Sequence, residues 1–140
     1  MSVNGPVLLI EDSIEEQQKI KKVFIEIGLS NPLEMFASAE QALAYLNTTD
    51  DEPFIILTKM MLPGINGLEF LNRIYQSEHL RKKSIPFIFF ANTDCPQLVE
   101  TAFDRRVQGY FLKPKSPVVL KLTLMSITDY WLRSTHPNIN

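Results

Sequence analysis

Four charged residues stand at the ends of three short apolar runs, and their types could do chemistry: Glu11, Asp12, Lys59 and Lys113. A lysine amine held among carboxylates forms ion pairs, whereas a desolvated lysine can act as a nucleophile. Adjacent carboxylates raise the pKa of a lysine and keep it protonated, which favours the ion pair. Each charge could merely end a buried strand, but four charges at the ends of three runs favour a functional site.

Apolar runs predict the strands that would position these charges. Val7–Ile10 and residues 54–57 are continuous apolar runs, which is typical of strands covered on both faces in a parallel sheet. Three further strands are predicted at Leu33–Phe36, residues 87–90 and Gly109–Leu112. The charged residues therefore follow the first, third and fifth strands.

A helical pattern follows each predicted strand. Capping-box signatures at Ser13 and Ser38 begin the first two helices. Polar residues 92–94 followed by Pro96, and Ser116 followed by Pro117, begin the last two. Residues 77–84, after the third helix, are predicted to be a charged connection. Strict alternation of strands and helices requires a parallel sheet with helices on both faces, which is a doubly wound α/β fold.

The carboxyl ends of the predicted strands meet at one edge of such a sheet, where ligands of open α/β proteins bind. This edge gathers the two acids after the first strand and the lysine after the third. It also gathers Ala91 and Asn92 after the fourth strand and Lys113 after the fifth. We therefore predict a shallow pocket that holds both acids and both lysines.

Length and composition limit the class of protein. A chain of 140 residues predicts one domain, 1–140, with its core at residues 6–133 and a frayed tail at residues 134–140. The formal net charge of -2 gives no basic field to attract nucleic acid or an anionic membrane. The single cysteine, Cys95, excludes an internal disulfide, and the N-terminal residues lack a signal-sequence pattern. We expect a cytoplasmic protein.

Three motifs resemble the receiver domain of bacterial two-component response regulators, the CheY-like family. They are LLIEDS at residues 8–13, LPGING at residues 62–67 and YFLKP at residues 110–114, and the likeness covers residues 7–133. The resemblance implies a single doubly wound (βα)5 three-layer sandwich. Its parallel five-stranded sheet would have the order 2-1-3-4-5, as in flavodoxin-like and CheY-like folds.

The resemblance also implies roles for individual residues. In the family, two acids after strand one bind Mg²⁺, an aspartate ends strand three and accepts the phosphoryl group, a Thr or Ser ends strand four, and a lysine ends strand five. Glu11 and Asp12 match the metal-binding acids, and Lys113 matches the lysine. Met61 matches the residue whose backbone carbonyl binds the metal, and Tyr110 matches the aromatic switch on strand five.

Two positions depart from the family pattern. Lys59 occupies the phosphoacceptor position, and Ala91 replaces the hydroxyl residue after strand four. A slip of one residue would place Thr58 at the acceptor position, but the spacing to Pro63 and Gly67 favours Lys59. Two carboxylates and two lysines have charges that sum to zero. We therefore predict that Mg²⁺ binding is weak or absent, that Lys59 pairs with one of the acids, and that the protein is not an enzyme.

The function predicted from these departures is that of a stand-alone, degenerate receiver in two-component signalling. It would bind a protein partner, a histidine kinase or another signalling protein, without phosphorylation, and would bind neither nucleic acid nor membrane. In the family, helix four, strand five and helix five form the usual interaction and dimerisation face. The resemblance therefore implies a partner face, and a homodimer formed through it, with Phe103, Tyr110, Tyr130 and Trp131. Phe111 and Met125 lie on the same elements; most of these six residues are expected to be core, with Tyr130 and Trp131 as the interface anchors.

Two alternatives stay open. The receiver could be phosphorylated at a non-standard residue, Asp12 or Thr58. A flavodoxin-like cofactor binder would share the fold, but it needs a phosphate cradle rich in Gly, Ser and Thr after strand one. Glu11 and Asp12 stand there instead and would repel a phosphate.

Overall fold

Five parallel strands form one sheet in the order β2-β1-β3-β4-β5, which confirms the predicted topology. The computed structural model describes residues 1–135, so residues 136–140 of the predicted frayed tail lie outside the described part. The strands all lie close to their predicted positions: β1 (Val7–Ile10), β2 (Leu33–Phe36), β3 (Ile55–Thr58), β4 (Phe87–Ala91) and β5 (Gly109–Leu112). The helices of the described residues are α1 (Ile14–Ile27), α2 (Ala39–Thr48), α3 (Gly67–Gln76), α4 (Glu78–Arg81), α5 (Pro96–Asp104) and α6 (Pro117–Arg133).

Two apolar cores lie on the two faces of the sheet, because successive strand residues point to opposite sides. Leu8, Ile56 and Phe89 pack on one face with buried residues of α2, α3 and α5. Leu9 and Leu57 pack on the other face with buried residues of α1 and α6. The central strand β3 is buried at all four positions, as expected for a strand covered on both faces.

One prediction about the helices is wrong in detail. The connection at residues 77–84 contains the short helix α4, because Ser77 caps it through a hydrogen bond from Leu80 N and the Leu80 side chain is buried in the core. The helix start predicted at residues 92–94 followed by Pro96 agrees with α5, which begins at Pro96. The Thr93 hydroxyl accepts a hydrogen bond from Cys95 N at 3.2 Å, so these polar residues form a turn before the helix.

Among residues 1–135, no helix combines the length and the apolar character that crossing a lipid bilayer requires.

Candidate functional site at the carboxyl ends of the strands

Strand register brings the predicted site residues to one edge of the sheet. Ile10 of β1 lies opposite Thr58 of β3, and Lys59 N donates a hydrogen bond to Ile10 O at 3.0 Å. On the other side, Lys113 N donates to Ala91 O at 2.8 Å. The residues that follow β1, β3, β4 and β5 therefore line a common edge, as the parallel sheet predicts.

The amine of Lys59 lies between the two acids that follow β1. Its Nζ is 3.0 Å from Asp12 Oδ1 and 3.7 Å from Glu11 Oε2. The side chains of Lys59 and Asp12 are 23% and 34% exposed, so solvent screens this pair partly. Lys59 is thus the cationic partner of both acids.

Glu11 is the buried acid of the pocket, with 5% of its surface exposed. Ser13 N donates to Glu11 Oε2 at 2.9 Å, and Lys113 Nζ lies 4.0 Å from Glu11 Oε1. A buried carboxylate is costly unless cations and hydrogen-bond donors surround it. Lys59, Lys113 and the Ser13 N–H supply that surrounding.

Glu16 belongs to the pocket, although sequence reasoning did not place it there. The predicted capping box at the start of α1 is only half formed: Ser13 Oγ accepts from Glu16 N at 3.3 Å, but Ser13 N donates to Glu11. The Glu16 carboxylate instead forms an ion pair with Lys113. The one local feature that could have suggested a pocket role for Glu16 is its position in the first turn of α1, the helix that follows β1.

This contact changes the charge balance predicted for the pocket. Three carboxylates and two lysines give a net charge of -1 rather than zero, because Glu16 joins Glu11 and Asp12. Lys19 also lies 3.3 Å from Glu16 Oε1, but its side chain is 58% exposed. Each acid of the pocket has a lysine amine within 4.0 Å.

The titration behaviour of the pocket follows from these contacts. The hydrogen bond from Lys59 lowers the pKa of the Asp12 carboxyl below its ordinary value of 3.8. The same hydrogen bond raises the pKa of Lys59 above its ordinary value of 10.5. Burial lowers the pKa of Lys113, and the Glu11 carboxylate acts in the opposite direction. Lys59 is therefore an ammonium ion at neutral pH, which disfavours its use as a nucleophile.

Three other predicted residues lie around this edge. Ala91 ends β4 and is 1% exposed. Because it is an alanine, this position offers no hydroxyl to the pocket. Thr58 is fully buried, and its hydroxyl donates to Lys59 O at 2.9 Å. Met61 lies on the loop after β3 with its side chain 64% exposed.

The predicted partner face is only partly exposed. Tyr110 packs against one core and donates from its hydroxyl to Thr93 O at 2.5 Å, and Trp131 packs against the other core. Phe103 and Tyr130 are 52% and 63% exposed. Trp131 is half-buried, whereas the exposure of Phe103 and Tyr130 suits a contact surface, and the partner face stays a prediction.

A larger exposed apolar surface lies on α6, and sequence reasoning did not identify it. We name it the α6 stripe, and its members are Val118, Val119, Leu122 and Met125, each 43% or more exposed. Met125, at 43%, is the least exposed of the four. The inward positions of α6 are taken by Leu120, Leu124 and Ile127.

Comparisons with known proteins agree with this fold. Residues 7–124 match the response regulator receiver domain family. The probable methanogenesis regulatory protein FilR2 of Methanothrix harundinacea (strain 6Ac) is 30% identical over 130 residues, which cover 90% of this chain and 83% of that protein. Chemotaxis protein CheY1 of Helicobacter pylori is 29% identical over 115 residues, which cover 82% of this chain and 90% of that protein.

Solved structures show the same fold. The phosphorylated cyanobacterial phytochrome response regulator RcpA matches with a TM-score of 0.84 at 22% identity, over 95% of this chain and 98% of that chain. The bacteriophytochrome response regulator RtBRR matches with a TM-score of 0.75 at 27% identity, over 96% of this chain and 81% of that chain. Together with the family match, these likenesses show that the chain belongs to the response regulator receiver domain family, which acts in two-component signalling.

Proposed function

We propose that this receiver is a protein-binding module of two-component signalling that works without phosphorylation and without Mg²⁺. The observation that carries the proposal is the position of Lys59, whose amine contacts both Asp12 and Glu11 at the edge where the family binds its metal. On this proposal the built-in ammonium ion holds the pocket in one state.

Electrostatics support the absence of a metal. Mg²⁺ needs oxygen ligands in near-octahedral geometry, and carboxylates are its preferred protein ligands. Here Lys59 already pairs with both acids that follow β1, so a divalent cation would have to displace an ammonium ion. Among residues 1–135, no group of three or more His, Cys, Asp or Glu side chains is arranged to hold a metal ion.

The chemistry of phosphoryl transfer supports the absence of phosphorylation. An aspartyl phosphate needs a carboxylate at the acceptor position, where this chain has Lys59. Thr58 is fully buried and its hydroxyl is engaged with Lys59 O, so it is a poor acceptor. Asp12 is held in the ion pair with Lys59. The same observations support a module that is not an enzyme.

A protein partner is then the remaining route to function. The family acts in two-component signalling, so we propose a histidine kinase or another signalling protein as the partner. The exposed α6 stripe, together with Phe103 and Tyr130, offers the apolar surface that such a contact needs. We include a homodimer formed through this surface in the proposal, because it can be tested with the purified chain alone.

The test compares the wild-type chain with Lys59→Asp and Lys59→Met. Each protein is titrated with Mg²⁺ by calorimetry and then treated with acetyl phosphate and Mg²⁺ before intact mass spectrometry. We expect neither metal binding nor a phosphoryl mass increment for the wild type. Lys59→Asp restores the missing carboxylate and should gain Mg²⁺ binding and slow phosphorylation, since Ala91 still lacks a hydroxyl.

Lys59→Met separates the two effects, because it removes the ammonium ion without adding an acceptor. It should bind Mg²⁺ more tightly than the wild type and still take up no phosphoryl group. Lys82→Met is the matched control, since Lys82 pairs with Glu78 on the exposed surface of α4. Saturable Mg²⁺ binding or a phosphoryl increment in the wild-type chain would refute the proposal.

A further inference from the structure

A separate cavity lies at the opposite end of the sheet from the acidic pocket. It has a volume of about 330 Å³ and opens beside the amino end of β4 and the residue that precedes β5, Gln108. Leu71, Leu80 and Phe87 line it, and all three are buried, so its floor is apolar. A volume of this size falls in the range of small-molecule sites.

Two arginines lie near one aromatic ring on the wall of this cavity. The guanidinium carbon of Arg106 lies 4.6 Å from the ring centroid of Tyr75, and that of Arg81 lies 5.7 Å from it. Arg81 Nη1 donates to Tyr75 O at 2.9 Å, which holds this guanidinium and leaves its other N–H donors for another acceptor. Both positive charges therefore belong to the lining of one cavity.

The arginine pair has no acidic partner in the described structure. Among residues 1–135, neither Arg81 nor Arg106 forms an ion pair within 4.0 Å, and the cavity lining contains no Asp or Glu. Arg73 pairs with Glu69 and Arg133 pairs with Asp129, whereas Arg105 also lacks such a pair among the described residues. What sets Arg81 and Arg106 apart is that both line one cavity, where guanidinium groups can donate charge-assisted hydrogen bonds to an anion.

The backbone at Arg106 adopts a conformation that favours glycine. Arg106 has a φ of 68°, in the left-handed region, immediately after α5. Its N–H donates to Phe103 O at 3.0 Å. The next N–H, of Val107, donates to Ala102 O at 3.1 Å. These two hydrogen bonds define a Schellman motif, whose left-handed position is usually occupied by glycine.

The end of α1 shows what the chain does elsewhere in the same motif. Gly28 has a φ of 70°, and its N–H donates to Ile25 O at 3.1 Å. The N–H of Leu29 donates to Phe24 O at 3.4 Å. An arginine in the equivalent position after α5 therefore carries a backbone cost that glycine would avoid. Its side chain, stacked on Tyr75 at the cavity, offers a functional reason for that cost.

Ser84 also lines the cavity with a left-handed backbone, as Arg106 does. Among residues 1–135, Ser84 and Arg106 are the non-glycine residues with positive φ, at 51° and 68°. Both line this cavity, although 22 positions separate them in the sequence. Left-handed non-glycine residues concentrate at ligand sites, where the surrounding structure holds them.

We propose that this cavity is a binding site for a nucleotide. The guanidinium groups of Arg81 and Arg106 hold the phosphate through charge-assisted hydrogen bonds. The flat base lies against the half-buried apolar side chains of Ile74 and Ile85, above the buried floor. This site is independent of the acidic pocket, because it uses other residues and lies at the other end of the strands.

The test is a titration of the ¹⁵N-labelled full chain with AMP, followed by NMR. We expect saturable shifts of the Ser84, Arg106 and Gln108 amide signals, with no saturable shifts around Lys59. Arg106→Gly should keep the fold and at least its thermal stability, because glycine suits this backbone. It should weaken AMP binding about tenfold or more, since a charged hydrogen-bonding group is lost.

Arg105→Gln is the matched control. Arg105 is the exposed neighbour of Arg106 and does not line the cavity, so its loss changes the net charge equally but should leave AMP affinity unchanged. Adenosine should fail to saturate, and pyrophosphate should bind more weakly than AMP. Equal affinity of the wild type and Arg106→Gly, no saturation by AMP at millimolar concentration, or pyrophosphate binding as tight as AMP would each overturn the nucleotide assignment.

Discussion

At the residue scale, Lys59 compensates acids that would otherwise repel one another. Its amine lies within 4.0 Å of both Glu11 and Asp12. The pair with Asp12 is partly exposed and contributes about 1 kcal/mol or less to stability. Glu11 is different, because it is buried and its charge must be balanced inside the protein. Lys59 and Lys113 therefore act mainly by offsetting the desolvation cost of the buried Glu11 carboxylate.

A pH titration tests this electrostatic role. The pKa of Asp12 is lowered, so its contribution to the free energy of unfolding is present above pH 3.8 and is lost as the pH falls through the folded-state value. The pKa of Lys59 is raised, so its contribution is present below pH 10.5 and is lost as the pH rises through the folded-state value. Carboxyl ¹³C shifts should show Asp12 titrating below pH 3.8 in the wild type.

The variant Lys59→Met should move the Asp12 midpoint upward, because the hydrogen bond that lowers its pKa is removed. Urea unfolding should then show a smaller loss of stability on acidification for Lys59→Met than for the wild type. Lys82→Met, which removes an exposed pair on α4, is the control and should leave the Asp12 midpoint unchanged. An unchanged midpoint in Lys59→Met would show that the ion pair is absent in solution.

At the element scale, α6 carries apolar residues on two faces. Leu120, Leu124 and Ile127 recur every three or four residues and pack on the sheet. The α6 stripe recurs with similar spacing on the outer face. A helix of an isolated domain usually presents polar residues outward, so the outer stripe indicates a surface for contact with a protein.

Paired truncations separate the two faces of α6. Leu124 is 1% exposed, so Leu124→Ala should reduce the free energy of unfolding by about 2–5 kcal/mol through lost burial and a residual cavity. Leu122 is 57% exposed, so Leu122→Ala should change it by only about 0.5 kcal/mol. Urea denaturation at low protein concentration measures both. Equal losses for the two variants would contradict this orientation of α6.

At the scale of the whole molecule, the two candidate sites occupy opposite ends of the sheet. The acidic pocket lies where the strands end, and the cavity with Tyr75 lies where β4 and β5 begin. The α6 stripe lies in one of the helical layers and shares no residue with either site. The proposed partner surface, the acidic pocket and the proposed nucleotide site can therefore be mutated one at a time.

Homodimerisation through the α6 stripe is the prediction that belongs to this scale. Light scattering coupled to gel filtration should show the mass rising from monomer toward dimer as the concentration increases. Leu122→Glu places a charge in the middle of the stripe and should keep the protein monomeric without loss of stability, since Leu122 is exposed. A wild-type chain that stays monomeric at high concentration would show that the stripe serves another protein or none.

Several of the differences between prediction and structure have one physical origin. The helix α4 was not predicted, because its stability depends on Leu80 reaching a core built by distant strands. Glu16 was assigned to a capping box, but 97 positions of sequence separate it from Lys113, the residue it contacts. Met125 is 43% exposed because α6 carries apolar residues on both faces, and an apolar residue of a helix indicates burial only when the opposite face is polar.

The sequence by itself determined the alternation of strands and helices, their approximate ends and the order of charges along the sheet edge. These features depend on local signals: apolar runs, N-caps and helical spacing. Tertiary structure alone decided that Lys59 lies between Glu11 and Asp12, and that Arg81 and Arg106 meet at Tyr75. Such contacts depend on strand register and on helix packing across the sheet, which place side chains from distant segments within a few ångströms of one another.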